Sequence, residues 1–142
     1  MSTSLYATFT VADRYLGVPV TRVQEVLREQ PITPVPLAHE HIEGLLNMRG
    51  QIVTALNLRA RLGLAPREAG APSAHVIVLT DEGPLSLLVD ALGDVVTVHE
   101  DRFELPPDTL QTDSRHLIKG AYKLDDALLL DLDLDRTLDF TT

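Results

Sequence analysis

Polar and apolar residues alternate along residues 5–11, where Thr8, Phe9, Thr10 and Val11 follow one another, and a second apolar run covers residues 15–18. The Ala12-Asp13-Arg14 turn separates them, so the chain is predicted to open with a β-hairpin. The period then changes. Val20, Val23 and Leu27 fall at helical spacing behind Pro19, with Thr21 placed as a cap, which predicts one or two turns of helix over residues 19–27. Residues 32–35 lie among Pro31, Pro34 and Pro36, which lack the N–H that an interior strand donates, so this piece reads as an edge or crossover. Two β-like runs, 42–48 and 51–58, flank Arg49-Gly50, and Gly50 accepts the positive φ of a tight turn.

A short helix over residues 58–64 and a Pro/Gly/Ala-rich connection over residues 65–73 follow. The remainder predicts strands at 75–80, 85–90, 95–99, 117–122 and 127–131, a proline-marked loop at Pro106-Pro107, and a closing helix from Leu134. Roughly ten short strands with turn signals favour a barrel or sandwich over an α/β fold. The halves also echo each other in order: Val35-Pro36 with Leu105-Pro106, Ile42-Glu43-Gly44 with Ile118-Lys119-Gly120, and Leu56-Asn57-Leu58 with Leu130-Asp131-Leu132. This points to one domain over residues 1–142 built of two related subdomains, approximately 12–66 and 74–133, with the terminal segments packing across.

Charge narrows the partners. A net charge of −9 with scattered Lys and Arg repels a phosphate backbone, so no nucleic-acid partner is expected. The chain has no cysteine, which removes disulfides and thiolate chemistry and is compatible with a reducing cytoplasm. Residues 1–4 carry no basic residue before an apolar block, and no apolar run reaches the length of a membrane span, so a soluble, unprocessed protein without membrane insertion is expected.

Few residues form a recognisable chemical motif. Asp131, Asp133 and Asp135 resemble the start of a calcium loop, but Arg136 stands where glycine is needed and Thr142 where the bidentate acid is needed. Their alternation with leucine is better read as Leu in, Asp out. His39 and His41 lack a third zinc ligand at recognisable spacing. Ser114 and His116 lack a nucleophile elbow, and the dispersed glycines form no phosphate cradle, so neither catalysis nor a cofactor is expected.

The run from Ile42 to Arg59 contains Gly44-Leu45-Leu46-Asn47-Met48-Arg49-Gly50 followed by an apolar strand and Asn57-Leu58-Arg59. It resembles the G-x-x-N-L-R-G and D-L-R elements of CheW-like domains. Tyr15-Leu16-Gly17-Val18, Val23-Gln24-Glu25-Val26 and Ile32-Thr33-Pro34-Val35-Pro36 resemble upstream elements of that family, and Leu88-Val89-Asp90, Val95-Val96, Leu105-Pro106-Pro107 and Ile118-Lys119-Gly120 continue the likeness to about Leu138. Met48 replaces the usual Leu, Thr54 a common Pro, and Asn57 a common Asp, which puts any family ion pair through position 57 in doubt.

The resemblance implies a mainly β fold of two five-stranded SH3-like barrels sharing a core. It also implies a cytoplasmic adaptor recruited to chemoreceptor arrays at the inner face of the membrane. There it would couple the regulatory domain of a CheA-type histidine kinase to the cytoplasmic hairpin of a methyl-accepting chemoreceptor, with self-association in the array a further expectation. An adaptor of a non-flagellar chemosensory pathway is the alternative within the family, and a small-molecule-binding β-barrel the alternative outside it. The expected partner-binding residues are Val20, Val23, Glu25, Val26, Gly44, Asn47, Met48, Arg49 and Gly50. Arg49 is expected to hold Glu25, and the valines to line a groove. Core packing for Val23, a solvated charge for Glu25, and turn chemistry for Asn47 and Gly50 remain open.

Overall fold

The computed structural model describes residues 2–139. The calcium-loop position at Thr142 lies outside them. Eleven strands run in chain order: β1 (Thr3–Val11), β2 (Arg14–Pro19), β3 (Val23–Arg28), β4 (Ile42–Met48), β5 (Gln51–Asn57), β6 (Ala74–Thr80), β7 (Gly83–Val89), β8 (Ala91–His99), β9 (Phe103–Glu104), β10 (Ile118–Lys123) and β11 (Leu128–Leu132). Three short helices join them: α1 (Leu58–Arg61), α2 (Thr112–Leu117) and α3 (Leu134–Leu138). The mainly β reading holds.

The strands form a five-stranded sheet of order β3-β6-β7-β5-β4 and a six-stranded sheet of order β8-β1-β2-β11-β10-β9. Sheet membership cuts across the division expected at residues 65–73. The N-terminal hairpin β1–β2 joins the sheet of β10 and β11, while β6–β7 joins that of β4 and β5. Each hairpin packs against the other repeat unit through a parallel pair, β2 with β11 and β7 with β5. This exchange leaves neither half of the sequence with a complete sheet of its own.

The internal repeat is clear in the backbone. Ile42 pairs with Leu56 and Ile118 with Leu132, and in both hairpins the register shifts before the following glycine, Gly44 or Gly120. Asn57 and Asp133 then cap α1 and α3 at the same φ of −80° and ψ of 97°, each accepting a bond from the N–H three residues on. The partner of Leu56-Asn57-Leu58 is therefore Leu132-Asp133-Leu134, not Leu130-Asp131-Leu132.

Packing follows from sheet pleating. Val76, Val78, Leu87 and Val89 meet Phe9, Leu16, Val18, Leu130 and Leu132 in a central core shared by both sheets. On the far face of the five-stranded sheet, Leu46, Met48, Val53, Ala55 and Ile77 form a second cluster. Tyr6, Val98 and Leu129 form a third on the six-stranded side. Inner strands are thus covered on both faces, and β6 shows it with five successive buried residues.

That double burial overturns the Leu-in, Asp-out reading at Asp131, which is only 4% exposed. β11 lies between β2 and β10, so both of its faces are inside. Burial raises the Asp131 carboxyl above its usual range despite a hydrogen bond from the Tyr6 hydroxyl. Because its folded pKa is raised, stability falls as pH rises through the unfolded value of about 3.9 toward the folded one. Asp131→Asn is expected to leave stability unchanged or raise it by about 1 kcal/mol at pH 7, and to lose that gain at pH 3, measured by denaturant melts at both pH values. A loss of comparable size at pH 7 would mean that the charge itself stabilises the sheet.

The helix predicted over residues 19–27 is absent. A single 3-10 turn covers Val20–Arg22, and Val23 onward is the edge strand β3, antiparallel to β6. Three β-branched valines disfavour a helix too short to persist alone, and pairing with β6 prevails. The predicted stripe is split between two faces: Val23 packs against the central core and Leu27 against the second cluster, while a bulge between Val23 and Glu25 returns Val26 to the face of Val23. The sequence also concealed α2, β9 and the start of β8, which begins at Ala91 rather than residue 95.

Candidate functional site

The β4–β5 hairpin carries the densest group of predicted residues. Met48 pairs with Gln51, leaving Arg49 and Gly50 as a two-residue turn with φ of 54° and 87°. Two successive positive φ values match the strand twist, and Gly50 accepts its own without strain. Arg49 does so at a cost. The Asn47 Oδ1 accepts the Gly50 N–H at 2.8 Å and holds the turn. Asn47 and Gly50 therefore do turn chemistry.

Arg49 reaches β3 from this turn. Its Nη1 and Nη2 donate to Glu25 Oε2 and Oε1 at 2.6 and 2.7 Å, the expected charge-assisted contact in bidentate form. β3 and β4 are opposite edges of the five-stranded sheet, so this fork joins the two edges. The Thr33–Leu45 bridge and the cluster of Leu46, Met48 and Ile77, with Leu27 and Ile32 against it, act in the same direction. The Arg49 side chain remains 75% exposed while Glu25 is 18% exposed, which leaves a fixed guanidinium facing outward. Ile52, 62% exposed, lies opposite Asn47 on the same hairpin.

Other predicted residues separate from this group. Glu25 pairs with Ile77 and faces the second cluster, whereas Val23 pairs with Val78 and packs against the central core. Val26 shares Val23's face but is 47% exposed at the sheet edge, and Val20 is half-buried. Met48 is buried in the second cluster because β4 alternates Leu46 and Met48 inward with Asn47 outward. Gly44 is buried too, and a side chain there would collide with the Thr33 carbonyl. Both are buried and shape the hairpin from inside.

Arg59 forms the other organised ion pair, which the sequence reading missed. Its Nε and Nη2 donate to Asp90 Oδ1 and Oδ2 at 3.1 and 2.7 Å, and Asp90 also accepts the Ala12 N–H at 2.7 Å. Burial opposes ionisation of Asp90, but these bonds prevail and hold its carboxyl below the usual range. Asn57 takes no part in an ion pair. Its Oδ1 caps α1 and its Nδ2 donates to Glu43 Oε1 at 3.0 Å, a contact that an aspartate would turn into repulsion. The signal for the Arg59 pair was present in Asn57-Leu58-Arg59 and Leu88-Val89-Asp90, but nothing in the spacing joined the two motifs.

Among the described residues no helix is long and apolar enough to cross a membrane, and no group of three or more acidic or His residues is arranged to hold a metal. Ser114 is buried and donates to the Leu62 carbonyl, while His116 is exposed, so they form no nucleophile pair. Asp133 caps α3 and Asp135 faces Arg22 at 3.5 Å. A surface groove of about 820 Å³ runs between Arg22, Leu79 and Leu85 on the five-stranded side and Asp135 and Leu138 of α3. It is open to solvent, and Thr21, Thr80, Asp81, Glu82 and Asp139 complete a lining that mixes apolar and acidic side chains.

A family model described as the CheW-like domain matches residues 5–141. The Chemotaxis protein CheW of Bacillus subtilis is 30% identical over 131 residues, covering 92% of this chain and 84% of that protein. That of Thermotoga maritima is 28% identical over 134 residues, 94% of this chain and 87% of its own length. The crystal structure of the scaffolding protein TtCheW from Thermoanaerobacter tengcongensis superposes with a TM-score of 0.85 at 28% identity, covering 99% of this chain and 95% of that one. With the family match running through both sheets and the hairpin that carries Asn47, Arg49 and Gly50, the chain belongs to the CheW-like domain family.

Proposed function

We propose that this chain is a coupling adaptor of a bacterial chemosensory system. It holds the regulatory domain of a CheA-type histidine kinase against the cytoplasmic hairpin of a chemoreceptor and transforms no molecule itself. It works in the cytoplasm, at the inner face of the membrane where the receptors end. The observation that carries this reading is the Arg49–Glu25 fork: a guanidinium fixed by two short bonds, yet 75% exposed on a rigid turn. Exposed bidentate pairs contribute only about 0–1 kcal/mol to stability, so the orientation of Arg49 matters more here than its energy. Val26 on the edge strand β3 and Ile52 on β5 supply exposed apolar contact, and the groove between Leu79 and Leu138 offers a second face for a helical partner.

Arg49→Ala is expected to change unfolding free energy by less than about 1 kcal/mol while weakening binding of the kinase regulatory region at least tenfold, without nucleotide or metal. Circular dichroism melts and a titration with the cognate regulatory region measure the two effects. If the wild-type chain shows no association at tens of micromolar, roughly the range of weak specific complexes, the coupling role is wrong. If folding and binding fall together, Arg49 is a structural residue only.

A further inference from the structure

β8 is an outer strand of the six-stranded sheet, nine residues long, and among the described residues no strand lies on its other side. Residues 91–95 and 97 are exposed, with Val95 at 59% and Leu92 at 37%. Between Ala91 and Val98 the only charge is Asp94. A long, weakly charged edge rich in β-branched residues is a template for another strand, and folded proteins ordinarily blunt such edges. The related edge strand of the other sheet is blunted in this way. β3 has six residues, ends in Arg28, and carries Glu25 engaged by Arg49. On the β8 side the turn between β10 and β11 holds Asp125 and Asp126 where the first hairpin has Arg49, and its one ion pair, Arg102 to Asp125 at 3.5 Å, is exposed and lies beyond the end of β8; a bulge opposite residues 7–9 is the one irregularity within the strand.

The charge around β8 selects the occupant. Residues 1–19 and 90–142, which supply the six-stranded sheet, carry six Lys/Arg and fourteen Asp/Glu, against six and seven over residues 20–89. A second copy pairing β8 against β8 would bring two acidic surfaces together, which disfavours self-pairing. We infer that the free edge of β8 binds an extended basic segment of another protein by β-strand addition. Backbone bonds would join residues 91–98, apolar side chains would cover Leu92 and Val95, and flanking Lys or Arg would face Asp94, Glu100 and Asp101. This surface is distinct from the Arg49 hairpin and does not rest on the coupling role.

The test uses the whole chain and a fluorescent peptide that alternates valine and threonine between terminal lysines. Saturable binding that weakens with salt, with slowed amide exchange confined to residues 91–98 and the strand β1 beneath them, is expected. Val95→Lys and, separately, Thr97→Lys should each weaken binding by about tenfold or more with unchanged circular dichroism, whereas Leu37→Lys, on an exposed loop, should not. The inference fails if the peptide does not bind, if protection falls elsewhere, or if a glutamate-flanked version binds equally well. It also fails if sedimentation shows a dimer that Val95→Lys dissociates, since the occupant of the edge is then a second copy.

Discussion

Gly44→Val is expected to destabilise the fold by about 3–5 kcal/mol, and Gly44→Ala by about 2–3 kcal/mol. At φ of 155° the residue lies where side chains are rarely tolerated, and a β-branched one worst of all. Space is lacking as well. An added Cβ would run into the Thr33 carbonyl oxygen, and that carbonyl cannot retreat because it accepts the Leu45 N–H at 2.8 Å while Thr33 N–H donates to Leu45 O at 2.8 Å. Valine must therefore break the bridge that brings the proline-rich segment against β4, exposing Leu46, Met48 and Ile32 in the second cluster. Denaturant melts of the two variants measure the cost. A loss below about 1 kcal/mol for Gly44→Val would mean that the segment carrying Thr33 moves aside freely, so that it contributes little to closing the sheet.

Gly120 provides a control within the same molecule. It occupies the related position in the second repeat and is crowded by the Phe103 ring and the Glu104 carbonyl. There the bound segment is β9, which pairs with β10 through Glu104 and Ala121 just as Thr33 bridges to Leu45. Glycine recurs because a chain segment must cross closely over each hairpin at the same point. Gly44, one of the expected partner-binding residues, is thus a glycine that packing explains.

This separates what residue patterns carry from what they omit. The Met48-Arg49-Gly50-Gln51 turn was legible because its geometry is local: two positive φ values between alternating strands leave few alternatives. The Arg49–Glu25 pair was legible through the family motif, since spacing alone does not join residues on opposite edges of a sheet. The exchange of hairpins was not legible. β1–β2 reads equally well as a neighbour of β3, and only burial of Phe9 and Leu16 against Leu130 and Leu132 decides that it belongs beside β11. The helix predicted at Val20 to Leu27 failed for a related reason. Val23 and Leu27 share a helical stripe in sequence but face opposite sides of an edge strand, and the β6 edge that recruits β3 lies about fifty residues downstream.

Asp90→Ala is expected to cost about 3 kcal/mol, because it removes three bonds at once and strands a guanidinium that is only 19% exposed. Those bonds tie together the β7–β8 corner, helix α1 through Arg59, and the β1–β2 turn through Ala12, beside the backbone bond from Asp90 N–H to the Thr10 carbonyl at 2.9 Å. Ala12 sits at φ of 56°, so its N–H is held at a strained turn that the carboxylate fixes in place. The pH dependence follows in sign. Asp90 has a depressed folded pKa, so its contribution is present above the unfolded carboxylate value of about 3.9 and is lost as pH falls through the folded value. The wild-type and Asp90→Ala proteins should therefore differ most near neutrality and converge in acid, as in the Asp131→Asn comparison but with the opposite sign, since there the mutant is the more stable protein as pH rises. Asp90→Asn separates charge from geometry: it can keep an acceptor for Ala12 but loses half of the fork to Arg59. A full loss in Asp90→Asn would assign the corner's stability to the ion pair, whereas retention would assign it to the Ala12 bond.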